Sequence, residues 1–240
     1  MKLAKTFDYC ESKKPVLTVA LIHGIASDSA TYKSALDYLC KREKLKDVRF
    51  VTFDLLGSGQ SPQDDNFNYD YKDQLEALDN ALSDLDISTP LILVGHSLGT
   101  FIVTKYTSEH PKAVSKLVLI SPPIYTEADF DHPAFEVGIE AFKKLVRVKD
   151  PQILEKKAFN NSMEKIVLDR ENYERLVKLK TPTILIYGNE DQLIASYNVP
   201  KVLKQNEMIS AIRTLGKHGV SRDKYTKLAE VLEEVIDEIS

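Results

Sequence analysis

The chain has 240 residues, a formal net charge of −4 at pH 7 and a pI near 5.8. This mild acidity gives no reason to expect nucleic acid or an anionic membrane as a partner. No stretch is apolar for long enough to span a bilayer, and the first residues contain no apolar segment of signal-peptide length. Cys10 and Cys40 have neither metal-ligand spacing nor a disulfide framework, so we expect a cytoplasmic protein. The length of the chain is within the range of one α/β domain.

Short apolar runs, rich in β-branched residues and leucine, predict buried strands. In chain order they are Val16–Ile22, Val48–Phe53, Pro90–Val94, Val114–Ile120, Pro182–Tyr187 and Met208–Leu215. Segments with apolar residues at helical spacing alternate with them: Ala30–Leu45, Tyr71–Leu85, Leu98–His110, Tyr197–Lys204 and Arg222–Ile239. This alternation predicts the α/β fold class, a mostly parallel twisted sheet with helices on both faces.

One interval breaks the alternation. Between Pro122 and Thr181 the sequence contains no convincing strand, only helical segments such as Ala134–Val148 and Pro151–Leu179. We predict that residues 122–181 form a small helical cap insertion, while 1–121 and 182–240 form the core of the domain. Ligands of such sheets bind at the carboxyl ends of the strands, so we expect the cap to cover that edge. The alternative is a peripheral decoration remote from the chemistry.

The pentapeptide Gly95-His96-Ser97-Leu98-Gly99 stands where a strand pattern meets a helical pattern. In that context G-x-S-x-G is typical of a nucleophile elbow, a strained turn that exposes a serine Oγ. The two glycines permit the close approach of strand and helix. The pentapeptide alone is a weak signal, but its position between a strand and a helix makes Ser97 the predicted nucleophile.

A serine nucleophile needs a base, and the base needs an acid that orients it. In a parallel α/β sheet these partners follow later strands, in the chain order Ser, Asp or Glu, His. His218 is the only histidine after the predicted acid loop, and it is therefore the predicted base. In the loop Gly188-Asn189-Glu190-Asp191 we prefer Asp191 as the acid, and Glu190 is the alternative.

The oxyanion that forms during acyl transfer needs two backbone N–H donors. One candidate is the amide of Leu98, directly after the predicted nucleophile. The second is the amide of Ile25, in the loop His23-Gly24-Ile25 after the first predicted strand. All but one of the 9 glycines lie in loops at this edge of the sheet, which indicates backbone shaped around one site. The exception is Gly138, inside the predicted cap.

On these motifs the chain resembles the α/β-hydrolase superfamily, and the similarity covers nearly its whole length. The segments that carry it are, in the order of the family, HGIASDS, FDLLGSGQS, LVGHSLG, IYGNEDQLI and GKHGV. The resemblance is to small capped esterases and carbon–carbon bond hydrolases. It implies Ser97 as nucleophile, Asp191 as acid, His218 as base, and Ile25 and Leu98 as oxyanion donors.

The chain departs from the family pattern at two points and matches it in one further loop. The base loop reads Lys217-His218-Gly219, where the family more often has Gly-His. The N-terminus is short for the full antiparallel start of the sheet, which implies a trimmed sheet of about six to eight strands. Asp54 begins an Asp-x-x-Gly-x-Gly-x-Ser loop that is usually structural in the family, so we do not expect Asp54 to be catalytic.

These residues predict a serine hydrolase that cleaves a small to medium acyl compound, most simply a carboxylic ester, through an acyl-enzyme on Ser97. The alternatives are a carbon–carbon bond hydrolase, thioesterase or lactonase with the same triad, or a ligand-binding protein with negligible turnover. A basic or polar pocket would favour the carbon–carbon bond hydrolase. Aromatic and histidine side chains of the cap suggest a partly apolar pocket: Phe130, His132, Phe135, Phe142 and Phe159.

The expected partner is a small-molecule acyl substrate, and neither nucleic acid nor a membrane is expected. No metal or organic cofactor is implied. Gly57-Ser58-Gly59 lacks the third glycine of a dinucleotide-binding fingerprint. The sequence favours no particular oligomeric state.

Overall fold

The computed structural model describes residues 1–239, and seven strands within them form one sheet. The strands are β1 Ala4–Tyr9, β2 Leu17–Ile22, β3 Val48–Asp54, β4 Leu91–His96, β5 Lys116–Ile120, β6 Thr183–Gly188 and β7 Ile209–Thr214. Their order across the sheet is β1-β3-β2-β4-β5-β6-β7. Strand β1 is antiparallel to β3, and every other neighbouring pair is parallel. The predicted α/β fold class with a mostly parallel sheet is confirmed.

Helices connect the strands. They are α1 Lys33–Leu39, α2 Tyr71–Ser83, α3 Leu98–Glu109, α4 Glu127–Phe130, α5 Pro133–Lys149, α6 Lys157–Ser162, α7 Asn172–Val177, α8 Val199–Gln205 and α9 Arg222–Ile239. Short 3-10 helices occupy Ser29–Tyr32, Glu43–Leu45, Ile153–Glu155 and Ser196–Asn198, and a π-helical turn occupies Met163–Val167. Within residues 1–239, no helix combines the length and the apolar character needed to cross a membrane.

Helices cover both faces of the sheet, as predicted, and β2 shows how the sequence achieves this. Its six residues are all buried, because successive side chains enter opposite layers. Leu17, Val19 and Leu21 pack in the layer that contains α1 and α9. Ala20 and Ile22 pack in the layer of α2 and α3. Full burial of each of the large aliphatic side chains contributes roughly 1.5–3 kcal/mol, so β2 anchors the centre of the fold.

Strand β1 is an element that the sequence analysis did not predict. Its side chains are mostly half-buried or exposed, so it lacks the continuous apolar run of the inner strands. An ion pair also joins it to β3: Arg49 of β3 donates two hydrogen bonds of 2.8 Å to the carboxylate of Asp8 in β1. The short N-terminal segment therefore supplies one antiparallel edge strand, and the sheet of seven lies within the predicted size.

The predicted helix Ala30–Leu45 is wrong as a single element. The structure has a short 3-10 turn, the seven-residue helix α1 and a second 3-10 turn there. The helix ends at Leu39, and Arg42 adopts an extended conformation with φ −88° and ψ 120°. This break lets the chain reverse and bury Leu45, which is 1% exposed, before β3 begins. The predicted helix Pro151–Leu179 is likewise divided into short helical segments.

The segment between β5 and β6 contains helices and no strand within the described chain. A small apolar cluster of Val146, Phe159 and Met163 holds its parts together. Its longest helix, α5, is largely uncovered, with Leu145 61% and Val148 84% exposed. The predicted domain boundaries at residues 122 and 181 stay a prediction, but the helical character of this segment is as expected.

Candidate active site

Ser97 lies between the end of β4 and the start of α3, with a strained backbone at φ +50° and ψ −116°. The surrounding backbone is packed closely. A Cβ on Gly99 would lie 2.3 Å from the carbonyl oxygen of Ile22, and one on Gly95 would lie 2.6 Å from the carbonyl oxygen of Gly99. Both glycines are therefore required for the strand and helix to meet, and the structure places Ser97 at the sharp turn that the sequence predicts.

Ser97, His218 and Asp191 lie in one chain of hydrogen bonds. Oγ of Ser97 is 2.8 Å from Nε2 of His218, and Nδ1 of His218 is 3.0 Å from Oδ2 of Asp191. An ionised carboxylate only accepts hydrogen bonds, so Nδ1 carries a proton and its N–H donates a hydrogen bond to Asp191. In the neutral ring, Nε2 is then free to accept the hydrogen bond from the Ser97 hydroxyl.

The two acids left open by the sequence occupy different environments. The side chain of Asp191 is fully buried against His218, whereas Glu190 is exposed. Burial alone would raise the pKa of Asp191, but the hydrogen bond and charge of His218 outweigh it, helped by the Leu193 N–H and the charge of Lys224. The pKa of Asp191 is therefore below its usual value. Of the two candidates, the structure brings only Asp191 to the imidazole, as a carboxylate.

The loops that carry Asp191 and His218 are hydrogen-bonded directly to each other. The amide N–H of Glu190 donates to the carbonyl oxygen of Gly216 at 3.1 Å, and the N–H of Gly216 donates to Oδ1 of Asn189 at 3.2 Å. A further bond of 3.0 Å joins the Asn189 N–H to the carbonyl oxygen of Thr214. The relative position of acid and base is thus fixed by backbone contacts as well as by the side-chain pair.

The loop that carries Ile25 is held by His23, for which the sequence analysis found no separate role. Its Nδ1 lies 2.7 Å from the carbonyl oxygen of Gly24, and its Nε2 accepts a 2.9 Å hydrogen bond from the amide of Leu55. These partners require the proton on Nδ1. Burial lowers the pKa of His23, which keeps the ring in this neutral form. His23 therefore ties the loop after β2 to the loop after β3.

The two predicted oxyanion donors line the same cavity as Ser97. Leu98 is the first residue of α3, so its N–H has no acceptor one helical turn earlier. In the described part of the chain, the Ile25 N–H has no hydrogen-bond acceptor either. Both amides are thus available to an oxygen atom of a ligand beside Ser97.

A cavity of about 500 Å³ opens over Ser97. The helical segment supplies apolar side chains to it, among them Ile139 and Phe142 of α5, and Met163 and Val167 from the π-helical turn. Among the described side chains that line the cavity there is no lysine or arginine. The cavity therefore suits a largely apolar ligand without an anionic group.

The aromatic side chains singled out from the sequence divide into two groups. Phe135 and Phe142 line the cavity, and so does His132. Phe130 packs edge-on near Tyr125 instead, and Phe159 is buried in the core of the helical segment. Other residues that line the cavity carry no local sequence pattern that marks them: Tyr125, Met163, Val167, Leu193 and Tyr197.

Asp54 has a structural environment, as the sequence analysis expected. Its Oδ1 accepts a 2.8 Å hydrogen bond from the amide of Ser29, and its Oδ2 accepts one of the same length from the amide of Gln60. A Cβ on Gly59 would lie 2.0 Å from Oδ2 of Asp54, so the loop can wrap around the carboxylate only with glycine there. Asp54 organises the loop after β3 and does not line the cavity.

His110 and the two cysteines form no second site. His110 stacks on Tyr106, with ring centroids 4.5 Å apart. Cys10 and Cys40 are free thiols, half-buried. Within residues 1–239, no group of three or more His, Cys, Asp and Glu side chains has the arrangement of a metal site.

Comparisons with known proteins identify the fold family. A model of the alpha/beta hydrolase fold family matches residues 18–145, more than half of the chain. The Arabidopsis thaliana protein named "Probable lysophospholipase BODYGUARD 2" is 31% identical over 137 residues, which are 57% of this chain and 29% of that protein. The chain spans between 23% and 31% of the length of the first curated relatives that it matches.

Solved structures resemble the whole chain. An esterase from Exiguobacterium antarcticum superposes with a TM-score of 0.71 at 19% identity, covering 98% of this chain and 95% of that one. A meta-cleavage product hydrolase from Pseudomonas fluorescens gives a TM-score of 0.70 at 16% identity, covering 99% and 96% of the two chains. At these identities the likeness shows a shared fold.

Proposed function

The chain belongs to the family with the alpha/beta hydrolase fold, and from that premise we propose that it is a serine hydrolase acting on carboxylic esters of small to medium acyl groups. The observation that carries this proposal is the unbroken chain of hydrogen bonds from Asp191 through His218 to Ser97. The backbone N–H groups of Ile25 and Leu98, which have no hydrogen-bond acceptor in the described chain, belong to residues that line the same cavity. The proposal thus assigns the roles of nucleophile, base, acid and oxyanion donors to residues that lie together around one cavity.

In the proposed first step, Oγ of Ser97 attacks the ester carbonyl carbon while Nε2 of His218 takes the hydroxyl proton. Asp191 keeps the imidazole in the tautomer that accepts this proton and stabilises the imidazolium. The amides of Ile25 and Leu98 donate to the oxyanion, an interaction worth about 3–4 kcal/mol per donor in comparable sites. The tetrahedral intermediate collapses when His218 protonates the leaving alkoxide, which leaves an acyl-enzyme on Ser97.

In the second step a water molecule takes the place of the alcohol. His218 removes a proton from the water as it attacks the acyl carbon, and returns that proton to Oγ of Ser97 as the carboxylic acid departs. Every proton taken up by His218 is therefore given back within one cycle. The hydrogen bond to the buried Asp191 holds the ring for both transfers.

The cavity supports an ester over the carbon–carbon bond hydrolase alternative. An acidic substrate would call for a basic or polar pocket. The described lining includes polar side chains such as His132 and Gln192 but no lysine or arginine, so its charge, rather than its polarity, argues against an acidic substrate. The carboxylate in the lining is Asp129, and the hydrogen bonds from Thr126, Tyr197 and Asn198 hold its pKa below the usual value although burial opposes them. An anionic substrate would be repelled there. We propose that residues 122–181 act as a cap that selects neutral, apolar acyl groups.

The test is hydrolysis of p-nitrophenyl esters, from acetate to decanoate, by the wild type and Ser97→Ala, with fluorophosphonate labelling in parallel. Turnover that peaks at one chain length and falls about a million-fold in Ser97→Ala would support the proposal. Labelling of Ser97 without ester turnover would redirect the search to carbon–carbon bond hydrolase substrates. Retention of intact ligand, with neither turnover nor labelling, would favour the binding-protein alternative and overturn the proposal.

A further inference from the structure

Buried side chains donate hydrogen bonds to three consecutive carbonyl groups in the loop that carries His218. These are the carbonyl groups of Lys217, His218 and Gly219. Nζ of Lys224 donates to the carbonyl oxygens of Lys217 and Gly219, the latter at 2.9 Å. Nε2 of His96 lies 3.0 Å from the carbonyl oxygen of His218 itself. The backbone on both sides of the His218 imidazole is therefore held from the interior of the protein.

Lys224 reaches this loop from the first turn of α9. The whole residue is 0% exposed, and its Nζ also lies 2.6 Å from Oγ of Ser121, at the end of β5. Burial lowers the pKa of Lys224 to about 8, and the charge of Asp191 opposes that shift. A buried ammonium group is costly, so a residue that only filled this space would be apolar. What the ammonium adds is three hydrogen bonds that join α9, β5 and the loop of His218.

His96 acts on the same loop from the end of β4, directly before Ser97. A carbonyl oxygen only accepts, so the proton of His96 is on Nε2. Its Nδ1 is buried and has no hydrogen-bond partner in the described chain. Burial, together with the charge of His218 and of Lys224, lowers the pKa of His96 to about 3, which keeps the ring neutral. The histidine therefore has one donor, and that donor is directed to the backbone of His218.

We propose that His96 and Lys224 are positioning residues that fix the loop 217–219, so that the His218 imidazole is held between Ser97 and Asp191. The inference rests on the proposed serine hydrolase function for its catalytic consequence. Nucleophile activation depends on a hydrogen bond of 2.8 Å between Ser97 and His218, and a displacement of about 1 Å in a catalytic group can cost on the order of 100-fold in rate. Neither residue touches the substrate in this proposal.

Two variants on α9 test the role of Lys224. Lys224→Met keeps an unbranched side chain that is one atom shorter and removes all its donors, and Lys227→Met is the matched control. Lys227 lies on the same helix and forms an exposed ion pair with Glu230. We expect Lys224→Met to increase amide hydrogen exchange in residues 215–221 and to slow fluorophosphonate labelling of Ser97 about tenfold or more. With ester substrates kcat should fall by a similar factor while KM changes little, and Lys227→Met should resemble the wild type.

A second pair of variants covers the case in which Lys224→Met does not fold. His96→Gln retains an N–H donor at comparable reach, whereas His96→Leu removes the donor and keeps an apolar side chain of similar size. We expect labelling of Ser97 to slow about tenfold or more in His96→Leu and to stay within about threefold of the wild type in His96→Gln. Rescue by glutamine would identify the hydrogen bond, because loss of packing alone would affect both variants.

Amide exchange separates this inference from the proposed function. If the wild type neither hydrolyses esters nor labels at Ser97, the proposed function fails, and loop exchange in the variants still tests the positioning role. Faster exchange in residues 215–221 of folded Lys224→Met or His96→Leu supports the inference. Unchanged loop exchange together with wild-type labelling rates in both variants overturns it.

Discussion

A Cβ atom on Gly188 would lie 2.1 Å from the carbonyl oxygen of Gly216. Gly188 is the last residue of β6, and Gly216 lies just after β7. The loops that lead to Asp191 and to His218 therefore pass each other with no room for a side chain between them. Gly216 also has φ +102°, which few other residues adopt. The close approach is what allows Asp191 and His218, 27 positions apart, to meet.

Gly188→Ala should therefore separate the acid from the base. The methyl group meets backbone and forces the two loops apart, so we expect a loss of about 1–3 kcal/mol in the free energy of unfolding and roughly 100-fold in kcat. Urea denaturation and ester turnover measure the two effects. Gly219→Ala, where a Cβ would meet nothing within 4 Å, should cause a smaller loss in both. Equal losses in the two variants would contradict the role given to Gly188.

The acid can be identified by a matched pair of amide substitutions. Asp191→Asn should lower kcat by about 10⁴-fold, because the amide no longer holds His218 in the tautomer that accepts the proton of Ser97. Glu190→Gln changes an exposed neighbour and should stay within about threefold of the wild type. Ester turnover per active site, counted by fluorophosphonate titration, measures both. A severe loss in Glu190→Gln with a mild one in Asp191→Asn would exchange the two roles.

The backbone strain at Ser97 should be measurable as stability. Alanine keeps the unfavourable φ of +50°, whereas glycine adopts it freely. Ser97→Gly should therefore be more stable than Ser97→Ala by about 1 kcal/mol, even though glycine is more flexible in the unfolded chain. Thermal unfolding of the two inactive variants gives the comparison. Equal midpoints, or a more stable alanine variant, would mean that the turn stores no strain.

Gly138 in the middle of α5 should control the size of the cavity. It lines the cavity, and a Cβ there would have no atom within 4 Å, so glycine is not required by packing. Gly138→Ala should raise the free energy of unfolding by up to about 1 kcal/mol through helix propensity. Gly138→Phe should shift the optimum of the ester series to shorter acyl chains. An unchanged chain-length profile in Gly138→Phe would show that acyl groups bind elsewhere.

The ion pair of Asp8 and Arg49 should make the stability of the edge strand depend on pH. The hydrogen bond from Arg49 lowers the pKa of Asp8 to about 2 against the opposing effect of burial. Because the folded pKa lies below the unfolded one, the stabilisation is complete above about pH 4 and is lost as the pH falls through 2. Because this ion pair lies near the surface and is screened by solvent, Asp8→Asn should cost only about 0.5–1 kcal/mol at pH 7 by urea denaturation. The difference from the wild type should shrink towards pH 2, and a constant difference would contradict this account.

The sequence predicted the parts of the site that local patterns define. Ser97 and Leu98 are marked by the strand, the pentapeptide and the helix that follows, and Asp191 and His218 by the ends of later strands. The inner strands were found because burial on both faces produces continuous apolar runs. Chain order then limited the choice of acid to two neighbours, of which the sequence favoured Asp191, and the three-dimensional contacts bring that residue to His218.

What the sequence did not reveal depends on contacts between distant residues. Strand β1 is half-exposed, so no apolar run marks it. Lys224 occupies a charged, amphipathic helix, where a lysine is expected to face solvent, yet it is fully buried. The contact of His96 with the backbone of His218 joins positions 122 apart. No local pattern encodes such a pairing, because it exists only when β4 and the loop after β7 lie side by side.

The lack of lysine and arginine around the cavity also bears on how a catalytic cycle would end. An ester arrives without charge and leaves as a carboxylate, so the product differs from the substrate by one negative charge. In such a cycle Asp129, held as a carboxylate in the cavity lining, would repel that product. The cavity lining that accommodates a neutral acyl group would thus favour dissociation of the carboxylate product. Accumulated product would then compete only weakly with the ester for the cavity.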